Sequence, residues 1–277
     1  MVNILELAKL ANHIYTPSAV NKTDKITPYT NKSTIRSNSG NHWFYLKDIV
    51  PDMKPTNSDY CQLYLKFNCG QATDAVIAIR GSQSKCDYQT DYNSWLKSIL
   101  NKNEQEKTPE PYYSQTLAYS VVARDYLQRH YPILTNKVIY TGHSLGGAVA
   151  KLLVLRGGIL QPAVGFNAPG IAEMPNTNLA RANYITNVNA KYDLIHFAGT
   201  SVGKQLLVEI PEKEEMAKHI FKQFSPHNHY QYKQHSTWSH IKTSTEIIEV
   251  ASAQHTILNM ISSLQLNVNL AVAHTVI

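Results

Sequence analysis

A serine set between glycines can attack a carbonyl if the chain around it turns sharply, and Thr141-Gly142-His143-Ser144-Leu145-Gly146-Gly147 supplies such a stretch. Within it, Gly142 through Gly146 read G-x-S-x-G. A strand-to-helix turn this tight strains the serine backbone, and neighbours without a Cβ let the two arms of the turn pack together. A β-like run at 137–141 precedes the motif and a helical pattern at 148–156 follows it, which is the context the motif requires. The first N–H groups of that helix converge where an anion would be stabilised. A phosphate-cradling loop would need Gly-Lys-Ser/Thr, and Gly147 is followed by Ala148. Ser144 therefore reads as an exposed nucleophile; the alternative is a tight turn with no chemical role.

A serine hydroxyl needs a histidine to take its proton and a carboxylate to orient that histidine, and on a strand-turn-helix corner the chain order is Ser, then Asp or Glu, then His. Asp193 is the sole aspartate after Ser144 and follows an apparent strand at 183–188, so it is the expected carboxylate, a surface-turn aspartate being the alternative. Among the glutamates, Glu212, Glu214 and Glu215 look like a solvated face, and Glu246 completes a Thr-x-x-Glu cap with Thr243. The base should lie on a loop after Asp193 and before a helix expected to begin near Thr243. That leaves His227, His229, His235 and His240, with His235 preferred and His240 and His229 next. A metal held through His227-x-His229 lacks a Cys or acid at ligand spacing, so neither a metal nor a cofactor is expected. The oxyanion formed on attack needs preorganised donors, each worth about 3–4 kcal/mol. Leu145 N–H, directly after the nucleophile, is one; Ser82, after Arg80-Gly81, is the other.

These groups must be carried by elements, and the chain is long enough to build them. Its 277 residues, 43% hydrophobic and 17% charged, exclude a stapled mini-protein, a disordered chain and a low-complexity chain. Apolar positions Ile4, Leu7, Ala8, Ala11 and Ile14 mark a docked amphipathic helix within residues 1–15. Residues 16–41 read as a surface loop. Residues 60–67 read as a strand with one covered face, 75–79 as a strand covered on both, 112–130 as a helix, and 163–166 and 183–188 as further strands. Alternating strands and helices without a linker predict one α/β domain over 1–277, with a mostly parallel sheet and helices on both sides. Near the end, Leu264, Leu266, Val268 and Leu270 alternate with polar residues, as in a half-buried strand.

Charge and cysteines narrow the setting. The formal charge of +6 comes from scattered basic residues with no block of them, which favours solubility over nucleic-acid binding. Cys61, Cys69 and Cys86 form an odd set without C-x-x-C spacing, which fits a reducing compartment. With no basic-then-apolar start and no long apolar span, the chain reads as cytoplasmic as translated, export without a cleavable signal remaining open.

Ile79-Arg80-Gly81-Ser82, Gly142-His143-Ser144-Leu145-Gly146-Gly147, Phe166-Asn167-Ala168-Pro169-Gly170 and Asp193, in that order, resemble the class 3 lipases of the α/β-hydrolase superfamily. The likeness spans residues 3–248. It implies an α/β-hydrolase fold and a serine esterase or lipase that cleaves acyl esters, of triacylglycerol or phospholipid above all, through an acyl-enzyme and without a metal. It carries the oxyanion donor onto Ser82, the triad aspartate onto Asp193, and the triad histidine, which precedes a small or polar residue and then a helix, onto His235-Ser236. The family's Phe before Arg-Gly and Thr after it are Ile79 and Ser82 here, and the Arg that follows the Phe166 strand is replaced by Gly170-Ile171-Ala172. Where the family has a lid, Tyr92, Trp95, Leu96, Ile99 and Leu100 fall at helical spacing, either a helix opening at a lipid surface or an ordinary core helix. Rival readings are a thioesterase or peptidase on the same fold and a binding module that has lost turnover.

Overall fold

The computed structural model describes residues 2–15, 26–28, 41–46, 61–81, 110–172, 174–193, 195–196, 199–211, 214–215, 217–218 and 255–266. The eight strands are β1 Ile26–Pro28, β2 His42–Tyr45, β3 Cys61–Asn68, β4 Gln71–Ile79, β5 Val138–His143, β6 Ala163–Phe166, β7 Ile185–Ala190 and β8 Lys204–Val208. They lie in one sheet in chain order, antiparallel at β2–β3 and β3–β4 and parallel at the other pairs. The described helices are α1 Ile4–His13, α2 Glu110–His130, α3 Leu145–Arg156 and α4 Ile257–Leu266.

This order decides where the helices go. Parallel neighbours joined in sequence by right-handed crossovers stack their connecting helices on one face of a sheet. Here α2 joins β4 to β5 and α3 joins β5 to β6, and both pack into one core with Leu63, Leu65, Ile77 and Tyr140. The opposite face must be covered by the chain ends. It is: α1 and α4 share a second core with Tyr64, Val76, Ala78, Val164 and Phe166. The alternation along β4, with Ala75, Ile77 and Ile79 in one core and Val76 and Ala78 in the other, is the two-residue period of a strand buried on both sides.

Three expectations need correction. Strand β3 is covered on both faces, not one, because α1 lies across its more polar side. There Lys66 Nζ meets Glu6 Oε1 at 2.7 Å, Tyr64 Oη lies 2.9 Å from His13 Nδ1, and Gln62 Nε2 donates to the Leu46 carbonyl. The strand expected over 264–270 begins inside a helix. Ile257, Met260, Ile261 and Leu264 fall at i, i+3, i+4 and i+7 and are buried, so helical spacing wins over the alternation seen from Leu264 onward. Within the loop expected at 16–41, Ile26–Pro28 forms a short strand beside β2. The helix expected from Thr243, the segment 92–100, and Val268 and Leu270 lie outside the described residues.

Candidate active site

Because β4 to β7 run parallel, their C-terminal ends meet at one edge of the sheet, where loops of open α/β sheets gather functional groups. Four residues follow those ends: Gly81, Ser144, Asn167 and Asp193.

Ser144 follows directly after β5 with φ 56° and ψ −126°, and α3 begins at the next residue. A non-glycine in the left-handed region costs about 1–3 kcal/mol and persists only where its surroundings enforce it. The surroundings are glycines. A Cβ on Gly142 would sit 2.4 Å from the Gly146 carbonyl carbon, and one on Gly146 would sit 2.2 Å from Ile79 O, so both arms of the corner exist only without side chains. Ser144 N–H donates to Phe166 O at 2.9 Å and its carbonyl accepts from Ala148 N–H at 3.1 Å, while its hydroxyl makes no cap bond to α3. The backbone is thus satisfied and the hydroxyl is not consumed by the helix. Ser144 is only 8% exposed, so the corner lies below the surface rather than on it, where low dielectric strengthens electrostatic contacts. Leu145 N–H opens α3 and has no acceptor within the helix, as befits an anion donor.

Asp193, 1% exposed, is held by its own turn. Oδ1 accepts from Ile195 N–H at 3.2 Å, Oδ2 accepts from His196 N–H at 3.3 Å, and Asp193 N–H donates to Ala190 O at 3.1 Å. Its Oδ1 is also 3.1 Å from Nδ1 of His255. Burial alone would raise this carboxyl, but the facing His255 and the neighbouring His196 outweigh it and hold the group well below the ordinary carboxylate range. Asp193 is therefore ionised and fixed.

The imidazole beside Asp193 is not one of those favoured by the sequence. His227, His229, His235 and His240 all lie outside the described residues, as does Ser82. His255, 4% exposed, lies just before α4. Its ring packs at a tilt against His143 with centroids 4.7 Å apart, and its carbonyl is 2.7 Å from His143 Nε2. The group facing the aspartate thus also touches the residue before Ser144. The signal that could have found it was present: His255-Thr256 followed by a helix fits the histidine-polar-helix pattern as well as His235-Ser236 does.

His143 links the corner to the N-terminal helix. Its Nδ1 is 3.2 Å from Tyr15 Oη, which also accepts from Gly81 N–H at 3.1 Å. Burial, then the neighbouring His255, pushes His143 down to about 3, so the ring is neutral. Burial likewise pushes the Tyr15 hydroxyl up to about 12. Beneath the site, Lys151 of α3 is fully buried, with Nζ donating to Pro169 O at 2.6 Å, Asn187 Oδ1 at 2.9 Å and Ala168 O at 3.4 Å. Among the described residues, no group of three His, Cys, Asp or Glu side chains could hold a metal ion.

Residues 76–157, which contain β4, the Ser144 corner and α3, match the family described as Lipase (class 3). The match is to a family of lipase-type carboxylic ester hydrolases, and the mostly parallel sheet with helices on both faces is that of an α/β protein. The class 3 lipase match falls on the segment carrying the strained serine and its glycines, the most specific part of the sequence resemblance. The chain is similar at 17% identity to Lip2 lipase from Yarrowia lipolytica, with TM-score 0.45 over 75% of this chain and 78% of that one. It is similar at the same identity to the extracellular lipase LipA from Serratia marcescens, with TM-score 0.39 over 76% of this chain and 35% of that one. No curated protein sequence matches significantly. No described helix is long and apolar enough to cross a membrane.

Proposed function

We propose that this protein acts as a class 3 lipase and hydrolyses acyl esters of lipids, triacylglycerol or phospholipid, with Ser144 as nucleophile, His255 as base and Asp193 as its orienting carboxylate. The observation that carries this reading is the contact of Asp193 Oδ1 with His255 Nδ1 at 3.1 Å, at the sheet edge where β5 ends in the strained serine. With Nδ1–H given to an ionised carboxylate, the imidazole keeps Nε2 basic. Nε2 takes the Ser144 proton as Oγ attacks the ester carbonyl. The resulting oxyanion is stabilised by Leu145 N–H, at the positive end of α3, and by Ser82 from the loop after Gly81. Collapse expels the alcohol, to which His255 returns the proton, and leaves Ser144 acylated; water activated by the same imidazole then releases the acid. The base is thus assigned to His255 in place of His235, because His255 Nδ1 lies 3.1 Å from Asp193 Oδ1, whereas His196 Nδ1 is 3.8 Å from Oδ2. The lipid substrate, and with it transient contact with a lipid surface, follows from the family.

The test compares S144A, H255Q and H235Q on short and long acyl esters, with fluorophosphonate labelling of each folded variant. Expected are loss of labelling in S144A, turnover reduced by at least about a thousandfold in H255Q, and near-parental turnover in H235Q. Parental turnover in H255Q together with its loss in H235Q would return the base to His235. A folded parent chain that is never labelled would favour the binding module.

A further inference from the structure

Two side chains from different strand ends meet on the main-chain carbonyl of His255. His143 Nε2 is 2.7 Å from that oxygen and Asn167 Nδ2 is 3.0 Å from it. A carbonyl oxygen can only accept, so both nitrogens are donors, and this fixes every proton around them. His143, neutral and protonated at Nε2, must accept at Nδ1 from the Tyr15 hydroxyl, whose oxygen in turn accepts from Gly81 N–H.

Asn167 stands directly after β6 with φ 46°, a conformation glycine adopts without strain. Its side chain is fully buried and used at both ends: Oδ1 accepts from Ala190 N–H at 2.7 Å, and Nδ2 donates to His255. Ala190 is the last residue of β7, and its carbonyl accepts the N–H of Asp193. One amide therefore bridges Ala190, whose carbonyl seats Asp193, and the main chain of the residue that carries the imidazole facing it. A strained backbone kept for two hydrogen bonds calls for a role that those bonds serve. A glycine here would relax the turn and leave a buried N–H and a buried carbonyl short of a partner.

We propose that Asn167 is a positioning residue of the hydrolytic site, locking the main chain of His255 to the β7 end that holds Asp193, so that the imidazole is fixed at its backbone as well as at its ring. The proposal rests on His255 being the base. Asn167 touches neither substrate nor the reacting atoms; it acts through the placement of Nε2, where an error near 1 Å costs up to about a hundredfold in rate. It should lower kcat and leave KM alone.

The experiment uses the full chain with N167G, N167D and H255Q, assayed on a soluble p-nitrophenyl ester from pH 5 to 8. Rates are taken per active site, counted by fluorophosphonate titration, so that loss of folded protein does not enter. N167G should lower kcat at least tenfold with KM within twofold. N167D keeps the shape but loses the donor when ionised; its neutral carboxyl can again donate to the His255 carbonyl. Its kcat relative to the parent should therefore rise at least threefold from pH 8 to pH 5, a recovery that a packing role would not produce. Parental kcat in N167G, together with an N167D ratio that does not change with pH, would overturn the proposal while H255Q remains inactive. Turnover retained by H255Q would overturn the base assignment, and this proposal with it.

Discussion

Tyr15 shows how one hydroxyl can set the geometry of a site it does not enter. Its oxygen accepts from Gly81 N–H, in the loop after β4, and its proton goes to Nδ1 of His143, beside the nucleophile. Y15F would keep the ring and orphan both partners, an amide donor and an imidazole acceptor, in a buried setting. Leaving a buried polar group unsatisfied costs about 1–3 kcal/mol. The expected outcome is a lower melting temperature and a kcat several-fold below the parent, because the loop after Gly81 loses its tie to the Ser144 corner. A variant with parental kcat would mean that the loop is held by other means. The Ser144 corner was legible because its geometry is local: glycines at fixed offsets permit the left-handed φ, and strand and helix flank them in sequence. The pairing of His255 with Asp193 was not, because it is a contact across 62 positions of chain. Eight histidines follow the serine, and nothing in their immediate neighbours says which one reaches it.

Elements were legible where burial imposes a simple pattern. The strand at 163–166 was read with its true bounds because a parallel strand covered on both faces is a continuous apolar run between turns. Strand β3 misled because Gln62, Tyr64 and Lys66 look like a wet face; the helix that covers them, α1, brings Glu6 and His13 as partners from far upstream. The terminal helix was hidden by an alternation that starts at Leu264, and missing that helix also hid the histidine in front of it. If His255 is the base proposed above, the packing of α4, which begins just after it, should matter to catalysis. Met260 is fully buried in the core that α4 shares with α1. M260A should cost about 2–5 kcal/mol of stability. It should also lower kcat below the parental value at temperatures where the variant is still folded, because a loosened α4 lets the imidazole wander from Asp193. A melting temperature that falls with no change in kcat would show that His255 is held by its own hydrogen bonds alone.

At the scale of the molecule, three buried groups around the site, His143, Asp193 and Lys151, act on stability with one sign. His143 is pushed from 6.5 to about 3, so between those values the unfolded chain binds a proton that the folded chain does not. Asp193, held below its ordinary range, does the same at lower pH. Burial pushes Lys151 from 10.5 to about 7, which extends the effect into the alkaline range. In each window unfolding takes up a proton, so stability rises with pH and is lost on acidification. For Lys151 the gain with pH runs between about 7 and 10.5. Its three acceptors favour the ammonium and oppose burial, which makes this the contribution most in need of measurement. K151M removes the titration while filling the same space. Denaturant unfolding of parent and K151M at pH 7, 8.5 and 10 should show the parent gaining on the variant at each step. Parallel profiles would mean that Lys151 keeps its proton inside the fold, its carbonyl partners compensating fully for lost water, and that the acid sensitivity of the site lies with His143 and Asp193.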